Sequence, residues 1–316
     1  MFVERLGKQL TNWASNTIPW TNVYGVARSL MALATLLTLL LNDTSVFFKT
    51  QDKQLEFSHT FSIFLLSPHF KHIELIKWLC IFILFLVVIG WRPRVTALFH
   101  WWIAYSFQNS ALTLDGGDQV AAVFTFLLLP IALTDSRKWH WSSYNDNRKY
   151  EIYYRLMALL TINIIRIQVA MLYFNSVAAK LREDDWINGT AVYYYLNDYM
   201  LGLPEPLLKL FSFVLNSELV VLPTWGALIV QTILVCGLFA PKKSWKYILL
   251  VGILMHEVFA IMLGLISFSM TVCGILILYL VPIEKNIKFK YCNYFKVLYN
   301  EVVQKTRGKK KYELHD

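Results

Sequence analysis

Long apolar runs alternate with short polar segments along the chain. A bilayer core is about 30 Å thick, so a helix that crosses it needs roughly 20 mostly apolar residues. Runs of this kind predict about eight spans, near residues 22–42, 73–91, 94–111, 119–134, 152–179, 219–240, 246–264 and 266–283. The last two belong to one continuous apolar run, in which Gly264, Ser267 and Ser269 favour a break. The predicted fold class is therefore all-α, a polytopic bundle of transmembrane helices.

Positive charge is unevenly distributed over the polar segments. With the N-terminus placed in the cytoplasm, and residues at span ends counted with the adjoining segment, cytoplasmic segments hold 20 of the 30 Lys and Arg residues, outer segments hold seven and span interiors hold three. Because cytoplasmic loops retain Lys and Arg, this distribution predicts that both termini are cytoplasmic. Residues 1–283 then form one integral membrane domain, and residues 284–316 form a basic cytoplasmic tail.

Three polar segments face outward in this topology, namely residues 43–72, 113–119 and 180–218. The longest opens with the charged sequence KLREDDWINGTA and continues with many aromatic and leucine residues. Such a mixture is typical of short amphipathic helices that lie at a membrane surface. Pro204 and Pro206 are expected to interrupt them.

The composition supports a membrane protein and narrows its partners. Hydrophobic residues make up 56% of the chain and charged residues only 16%, which a soluble fold could not easily hide. The net charge of +9 lies mostly in the cytoplasmic segments, where it marks topology and contacts anionic lipid. No nucleic-acid partner is therefore predicted. The four cysteines lack CxxC spacing, so no disulfide framework, zinc site or thiol relay is predicted.

Two arginines inside predicted spans are candidates for function, because a charge in a bilayer is costly. Arg28 in the first span either pairs with an acid or a carbonyl group or lines a pocket. Arg166 lies eleven residues after Arg155, so the two share one face of the fifth span, which leads outward to Lys180. The plainer interpretation is bonding between helices, with Arg155 paired to Glu151.

His256 and Glu257 lie side by side in the middle of the seventh apolar run. Two adjacent buried titratable groups need partners or a water-filled cavity, so both are pocket candidates. No second histidine stands four residues after His256, which excludes an HExxH zinc site. No metal is predicted.

Asp115 and Asp118 flank two glycines at the start of the fourth span. The plain interpretation is a tight turn with a helix N-cap, because Asp accepts the free N–H groups of a first helical turn. The alternative places both carboxylates at the mouth of an outward-facing cavity. The motif lacks the spacing of a phosphate-binding loop.

Lys180 and Trp186 stand where the fifth span ends. A lysine there ordinarily extends to the lipid headgroups, and a tryptophan joins the aromatic belt of the interface. A lysine held in a pocket of low dielectric constant can instead act as a base. Composition alone favours the interfacial interpretation over the base.

Several segments resemble known membrane proteins. The sequence AAKLREDDWINGTAVYYYL resembles a segment of the vitamin K-dependent gamma-carboxylases and of their bacterial relatives, the HTTM (horizontally transferred transmembrane) proteins. MHEVFAIMLGLISFSM is similar to their later histidine-containing helix, and DGGDQV stands where many bacterial members carry Asn-Gly-Gly-Asp. PWTNVYGVARSLMALATLLTLLLN is similar to the opening of the sporulation-delaying protein B (SdpB) family of bacilli. The resemblance covers residues 19–283.

The carboxylase resemblance implies roles for two residues. Their segment has a Lys-Leu pair followed by Asp-Trp, two residues and Gly, as in Lys180-Leu181 and Asp185-Trp186-x-x-Gly189 here. In those enzymes the lysine of this pair is the base that starts oxygenation of reduced vitamin K, which implies the same for Lys180. The later histidine implies a supporting, proton-handling role for His256. A reduced quinone such as menaquinone is the implied cofactor. The acidic DGGD turn and the lack of the large luminal domain depart from the animal enzymes and argue against gamma-carboxylation.

The SdpB resemblance implies a protein of the bacterial cell membrane. That branch matures a secreted toxic peptide, a bacteriocin, together with a small partner protein of the SdpA type. The implied function is maturation of an exported peptide precursor in an outward-facing pocket. Whether the chain is an enzyme is open. Four alternatives remain: a scaffold or chaperone for processing, a quinone-dependent carboxylase-like enzyme, a peptide transporter that uses Arg28 and Arg166, and a protein that gives immunity to the toxin.

Overall fold

The structure, a computed structural model, describes residues 2–48, 61–66, 72–145, 151–199 and 202–287. These residues form helices and no strand, although Trp91 and Trp139 make an isolated antiparallel bridge. The predicted all-α class is confirmed. Residues up to Lys285 form one compact unit. The predicted basic tail at 284–316 lies outside the described residues except for its first four, and the division into a membrane domain and a tail stays a prediction.

The described helices are numbered in chain order. They are α1 Phe2–Asn16, α2 Asn22–Leu41, α3 Thr44–Phe47, α4 Ile73–Val88, α5 Pro93–Ser110, α6 Gly116–Leu127, α7 Leu129–Thr134, α8 Glu151–Lys180, α9 Asp184–Ile187, α10 Ala191–Leu196, α11 Glu205–Leu215, α12 Val221–Cys236, α13 Trp245–Leu263 and α14 Ile266–Leu280. Short 3₁₀ turns occur at Ile63–Leu66 and Glu218–Val220. Each predicted span coincides with one helix or two successive helices.

Among the described residues, five helical segments are long and apolar enough to cross a membrane. They are Asn22–Leu41, Gly116–Thr134, Glu151–Lys180, Glu218–Cys236 and Trp245–Leu263. Helices α4 and α14 have only 16 and 15 residues, and α5 carries more polar side chains. The count of about eight spans and the location of the termini therefore stay predictions.

The predicted break in the last apolar run is present. Helix α13 ends at Leu263, Gly264 adopts a left-handed conformation with φ +71°, and α14 begins at Ile266. Helix α14 then packs against α2, α6, α8 and α13, so it lies inside the bundle. Its buried residues include Ile275, Leu276 and Tyr279.

Peripheral helices expose apolar faces. On α4 the exposed large side chains Leu75, Trp78, Phe82 and Phe85 recur every three or four residues, so they share one face. A soluble protein would bury such a stripe, whereas lipid tails cover it in a membrane. These faces agree with a membrane protein.

Helix α1 was not predicted, and it packs against the start of α8. Arg155 links the two, because its Nη1 donates to the backbone oxygen of Ser15 at 3.0 Å. Arg155 also forms an ion pair with Glu151 one turn earlier. The predicted pairing of Arg155 with Glu151 is confirmed.

The helix directions place two groups of helix ends at opposite ends of the bundle. Near the start of α2, the Thr21 hydroxyl donates to the backbone oxygen of Ile283, beyond the end of α14, at 2.6 Å. At the other end of α14, Ser267 bonds Asp115 at the start of α6. Helix α8 ends on that second side, which we call the Lys180 end.

Candidate functional site

Lys180 is the last residue of α8 and belongs to a polar row on that helix. Tyr173, Ser176 and Lys180 are spaced by three and four residues, so they lie on one face. The Lys180 ammonium donates to the Ser176 hydroxyl at 2.7 Å, and that hydroxyl donates to Gln231 Oε1 on α12 at 3.2 Å. The half-buried lysine is thus anchored between two helices.

Trp186 forms the second wall of this site. It is buried, and the Lys180 ammonium lies 5.2 Å from its ring centroid, within the range of a cation–π contact. Trp225 donates its indole N–H to the backbone oxygen of Trp186 at 3.2 Å. Ala191 and Ala227 pack against the same ring system. Trp186 is therefore fixed from several sides.

The turn after Trp186 requires glycine. Gly189 has a φ of +79°, and a Cβ atom there would lie 2.7 Å from Val221 Cγ2 at the start of α12. Only glycine adopts this conformation without a steric penalty, and it also lets the two segments approach closely. The glycine of the Trp-x-x-Gly pattern thus serves to dock the α9 turn on α12.

His256 on α13 is buried beside the Lys180 row. Its Nε2 lies 2.9 Å from the Tyr173 hydroxyl, and its ring makes edge contacts with Phe259 and Phe268, with centroids 5.6 and 5.4 Å away. Lys180 is near enough to act on the imidazole electrostatically. Within the described part of the chain, His256 Nδ1 has no hydrogen-bond partner.

Three successive residues at the start of α14 connect the site to its surroundings. The Ser267 hydroxyl donates to Asp115 Oδ2 at 2.8 Å. Phe268 packs between Gly117 and His256, and the Ser269 hydroxyl donates to Glu257 Oε1 on α13 at 2.9 Å. The break between α13 and α14 therefore brings the DGGD turn close to His256.

The predicted N-cap at the DGGD turn is confirmed. Asp115 Oδ1 accepts from the backbone N–H groups of Gly117 and Asp118, at 2.6 and 3.2 Å. Asp118 Oδ2 accepts in return from the Asp115 N–H at 3.0 Å, which completes a capping box. The two carboxylates thus hold the start of α6 while lying at the Lys180 end.

Glu257 does not share the environment of His256. Successive helix residues point about 100° apart, so His256 is buried while Glu257 is exposed. Besides Ser269, Glu257 accepts a weak bond from the Cys273 thiol at 3.5 Å. The expectation of two titratable groups buried side by side is corrected for Glu257.

The arginines within spans lie away from Lys180. Arg166 places its guanidinium 4.1 Å from the ring centroid of Trp245, the first residue of α13. Trp245 precedes His256 by eleven residues, on the order of 16 Å along the helix. Arg28 is bonded to Thr96 near the start of α5. Neither arginine belongs to the cluster around Lys180.

Sequence reasoning missed Tyr173, Ser176 and Gln231. A signal for the first two existed, since they precede Lys180 at helical spacing. Gln231 stands in an otherwise apolar run, and a polar residue within a span is a functional candidate. Among the described residues, no group of three His, Cys, Asp or Glu side chains is placed to hold a metal ion.

Two cavities adjoin the site along the segment 183–222. The larger, of about 1030 Å³, lies between α10 and the start of α12, and its lining includes Thr190, Tyr193, Tyr194, Leu215 and Leu219. The smaller, of about 330 Å³, is lined by Glu183, Asp185, Trp186, Ala191, Tyr194, Tyr195 and Asp198. Trp186 therefore contacts Lys180 and also lines an acidic, aromatic cavity.

Comparison with known proteins supplies the family. No family model and no solved structure matches the chain. The chain is 47% identical over 293 residues to uncharacterized protein YitO of Bacillus subtilis (strain 168), which covers 92% of this chain and 94% of YitO. It is 39% identical over 286 residues to sporulation-delaying protein SdpB of the same organism, which covers 89% of this chain and 88% of SdpB. The relationship to the HTTM proteins stays a prediction. With this identity over nearly its whole length, the chain belongs to the SdpB family.

Proposed function

We propose that this chain acts in a sporulation-delaying toxin pathway, where it helps convert an exported peptide precursor into its active form. Support comes from its 39% identity to sporulation-delaying protein SdpB and from the five apolar segments of membrane-spanning length in its described helices. Its proposed location is the bacterial cell membrane. Its proposed partners are the precursor and a small protein of the SdpA type.

The Lys180 end is the proposed site of this reaction. The charge distribution favours an extracytoplasmic position for this end, where an exported precursor would arrive. The single observation that carries the proposal is the convergence of Lys180, Ser176 and Gln231 with Tyr173 and His256. An aromatic groove on the adjoining segment offers a surface for a peptide.

Lys180 is the proposed base. In the described part of the chain its ammonium bonds a hydroxyl and pairs with no carboxylate. No counter-charge therefore holds the proton on the amine, which favours release of that proton within a pocket of low polarity. His256, linked to Tyr173, would accept or return protons beside it.

The residues around His256 are chemically suited to a quinone. Phe259 and Phe268 present ring edges to the imidazole, and the buried Nδ1 has no partner among the described residues. A quinone carbonyl could accept a hydrogen bond from that nitrogen. Menaquinone or another reduced quinone, when bound, would supply redox chemistry, while Lys180 and His256 would position it and handle protons.

Substitution of Lys180 tests the proposal. In cells that carry the precursor and the small partner, Lys180→Arg and Lys180→Ala should reduce secreted mature peptide on the order of 100-fold, since acid–base groups contribute at least that much. Mass spectrometry of the medium measures the product. Lys209→Ala is the matched control, because Lys209 is exposed and, in the described part of the chain, pairs only with Glu205 on the surface of α11. Secretion of mature peptide by this variant should stay normal.

A scaffold without chemistry of its own is the second candidate, favoured by the groove of about 1030 Å³. It would tolerate substitution of Lys180 and His256 but lose output when Tyr193 or Tyr194 in the groove is replaced. Full peptide output from a stably expressed Lys180→Arg variant would remove Lys180 from the chemistry and favour the scaffold. Mature peptide trapped inside the cell would favour a transporter.

A further inference from the structure

A second buried polar cluster lies away from the Lys180 end, between the first halves of α2 and α5. Its centre is Arg28, which is only 1% exposed. The Arg28 Nη2 donates to the Thr96 hydroxyl at 2.6 Å, and the same hydroxyl is bonded to the backbone oxygen of Trp91 at 2.9 Å. The guanidinium is therefore held in one position inside the bundle.

Several polar atoms around this guanidinium have no partner. Within the described residues, Arg28 Nε, Arg28 Nη1, the Tyr24 hydroxyl and His100 Nε2 are buried without a hydrogen bond. Tyr24 lies one turn before Arg28 on α2, and His100 lies one turn after Thr96 on α5, so both side chains flank the guanidinium. Both also interact with it electrostatically. Unpaired polar atoms of three side chains thus lie around one buried charge.

The nearest carboxylate is already committed to another arginine. Arg137 Nε lies 2.9 Å from Asp135 Oδ1, and Arg137 Nη2 lies 2.8 Å from Asp135 Oδ2. Arg137 Nη1 also donates to the backbone oxygens of His140 and Ser142. Asp135 and Arg137 neutralise each other, which leaves the charge of Arg28 without an ion-pair partner among the described residues.

His140 adds no further charge at neutral pH. Burial, with smaller contributions from Arg28 and Arg137, lowers the pKa of His140 to about 2. Its Nδ1 is also unpaired among the described residues, and its ring lies against Gly25 and Gly90. The described groups of this cluster therefore carry one net positive charge.

A buried charge without a counter-charge is strongly destabilising, and each unpaired buried donor adds to that cost. A small anion beside Arg28 would reduce both costs, because it balances the charge and accepts hydrogen bonds from unpaired N–H and O–H groups. We propose that this cluster binds a small monovalent anion, held by Arg28 with Tyr24 and His100 as further donors. The site is separate from Lys180 and does not depend on the function proposed above.

Thermal unfolding of the purified full-length protein in detergent tests the proposal. Sodium chloride or sodium formate is titrated against sodium gluconate at constant ionic strength, because gluconate is too large for an enclosed site. A bound anion stabilises the folded state by mass action, so Tm should rise by several degrees and then saturate. A rise that is absent, or that stays linear without saturation, would overturn the proposal.

Variants identify the residues involved. Arg28→Gln should abolish the saturable rise, while Arg155→Gln, which removes an arginine outside the cluster, should keep it. If Arg28→Gln does not fold, Tyr24→Phe tests the site instead. Loss of one donor should weaken the apparent anion affinity about tenfold. If Arg28→Gln kept the saturable rise of Tm, the polar groups around Arg28 would be satisfied by buried water and no specific anion site would exist. If Arg28→Gln does not fold, an unchanged rise in Tyr24→Phe would lead to the same conclusion.

Discussion

The two buried polar clusters differ in how completely their groups are paired. Around Lys180, hydrogen bonds run from α8 to α12 and from α8 to α13. Around Arg28, one bond fixes the guanidinium, while its other nitrogens and the Tyr24 hydroxyl have no partner in the described chain. In the Lys180 cluster one buried atom, His256 Nδ1, lacks a partner among the described residues, whereas around Arg28 several do. The bundle thus pairs most polar groups internally in one cluster and leaves several unpaired in the other.

The backbone around the two clusters also differs, in how closely its segments pack. Near Arg28, the Gly90 turn packs directly against the 138–140 segment, where Arg92 N–H bonds Lys138 O at 2.7 Å and His140 N–H bonds Gly90 O at 3.0 Å. Near Lys180, short helices leave two cavities along the segment 183–222. The closed cluster suits a retained ion, and the open one suits a substrate that enters and leaves.

Alanine at one glycine in each region gives the largest expected effect. Gly90→Ala should lower the free energy of unfolding by about 3 kcal/mol or more, because φ is +84° and a Cβ would lie 2.3 Å from the buried His140 ring. Gly189→Ala should cost about 2 kcal/mol, since the half-buried Val221 has more room to shift. Denaturant-induced unfolding in detergent measures both.

Two further variants control this comparison. Gly226→Ala lies in α12 with open space around the added Cβ, so it should be neutral or stabilising by up to about 1 kcal/mol. Val221→Ala should relieve the steric part of the Gly189→Ala defect but not the backbone strain. If Gly90→Ala were as mild as Gly226→Ala, the close packing around His140 would be refuted.

The Arg28 region also has a distinctive pH dependence. The folded-state pKa of His140 is lowered to about 2 from the usual 6.5, so between these values the unfolded state binds the extra proton. Stability therefore falls as pH drops below about 6.5. The contribution of His140 should decrease by about 1.4 kcal/mol between about pH 7.5 and pH 5.5. Unfolding free energies measured across this range check the value.

A neutral replacement isolates the contribution of His140 from those of other histidines. On acidification from about pH 7.5 to about pH 5.5, His140→Gln should lose less unfolding free energy than the unchanged chain. The two losses should differ by about 1.4 kcal/mol. Identical pH profiles for the two proteins would mean that the pKa of His140 is the same in the folded and unfolded states. His140 would then be protonated in the folded state below about pH 6.5, and the charge balance around Arg28 would have to be revised.

Much of the helical architecture could be predicted from the sequence, because apolar runs and glycine breaks are local features. The break after Leu263 and the N-cap at Asp115 are examples. The adjacent titratable pair in an apolar run made His256 a pocket candidate, whereas only the resemblance raised Lys180 above an ordinary interfacial lysine. Their hydrogen-bond partners were missed, because those depend on how α8 is rotated against α12 and α13.

The Arg28 cluster was beyond prediction for a related reason. Its members come from α2, α5 and the turn after α7, and Arg28 bonds a residue 68 positions away. A sequence indicates that a buried arginine needs a partner. It does not show that the nearby Asp135 already forms an ion pair with Arg137. The separation of His256 from Glu257 likewise depends on tertiary packing rather than on their adjacency.

A matched pair of tyrosine variants has the smallest expected effect on stability. It tests directly whether the two clusters differ in the pairing of their buried hydroxyl groups. Tyr173→Phe removes a hydroxyl that pairs with His256 at 2.9 Å, so it should cost about 1 kcal/mol of stability. Tyr24→Phe removes a buried hydroxyl without a partner among the described residues. In gluconate, where no small anion is present, that loss should be neutral or slightly stabilising, because an unsatisfied polar group is deleted.

Thermal unfolding of both variants in gluconate and in chloride completes this test. Chloride should narrow the difference between the losses of Tm that the two substitutions cause. The Tyr24 hydroxyl then gains a partner, so its removal becomes costly. The Tyr173 variant should show the same loss in both salts, because its hydroxyl is paired within the protein. If Tyr24→Phe cost as much as Tyr173→Phe in gluconate, the Tyr24 hydroxyl would already be satisfied, and the two regions would not differ in pairing.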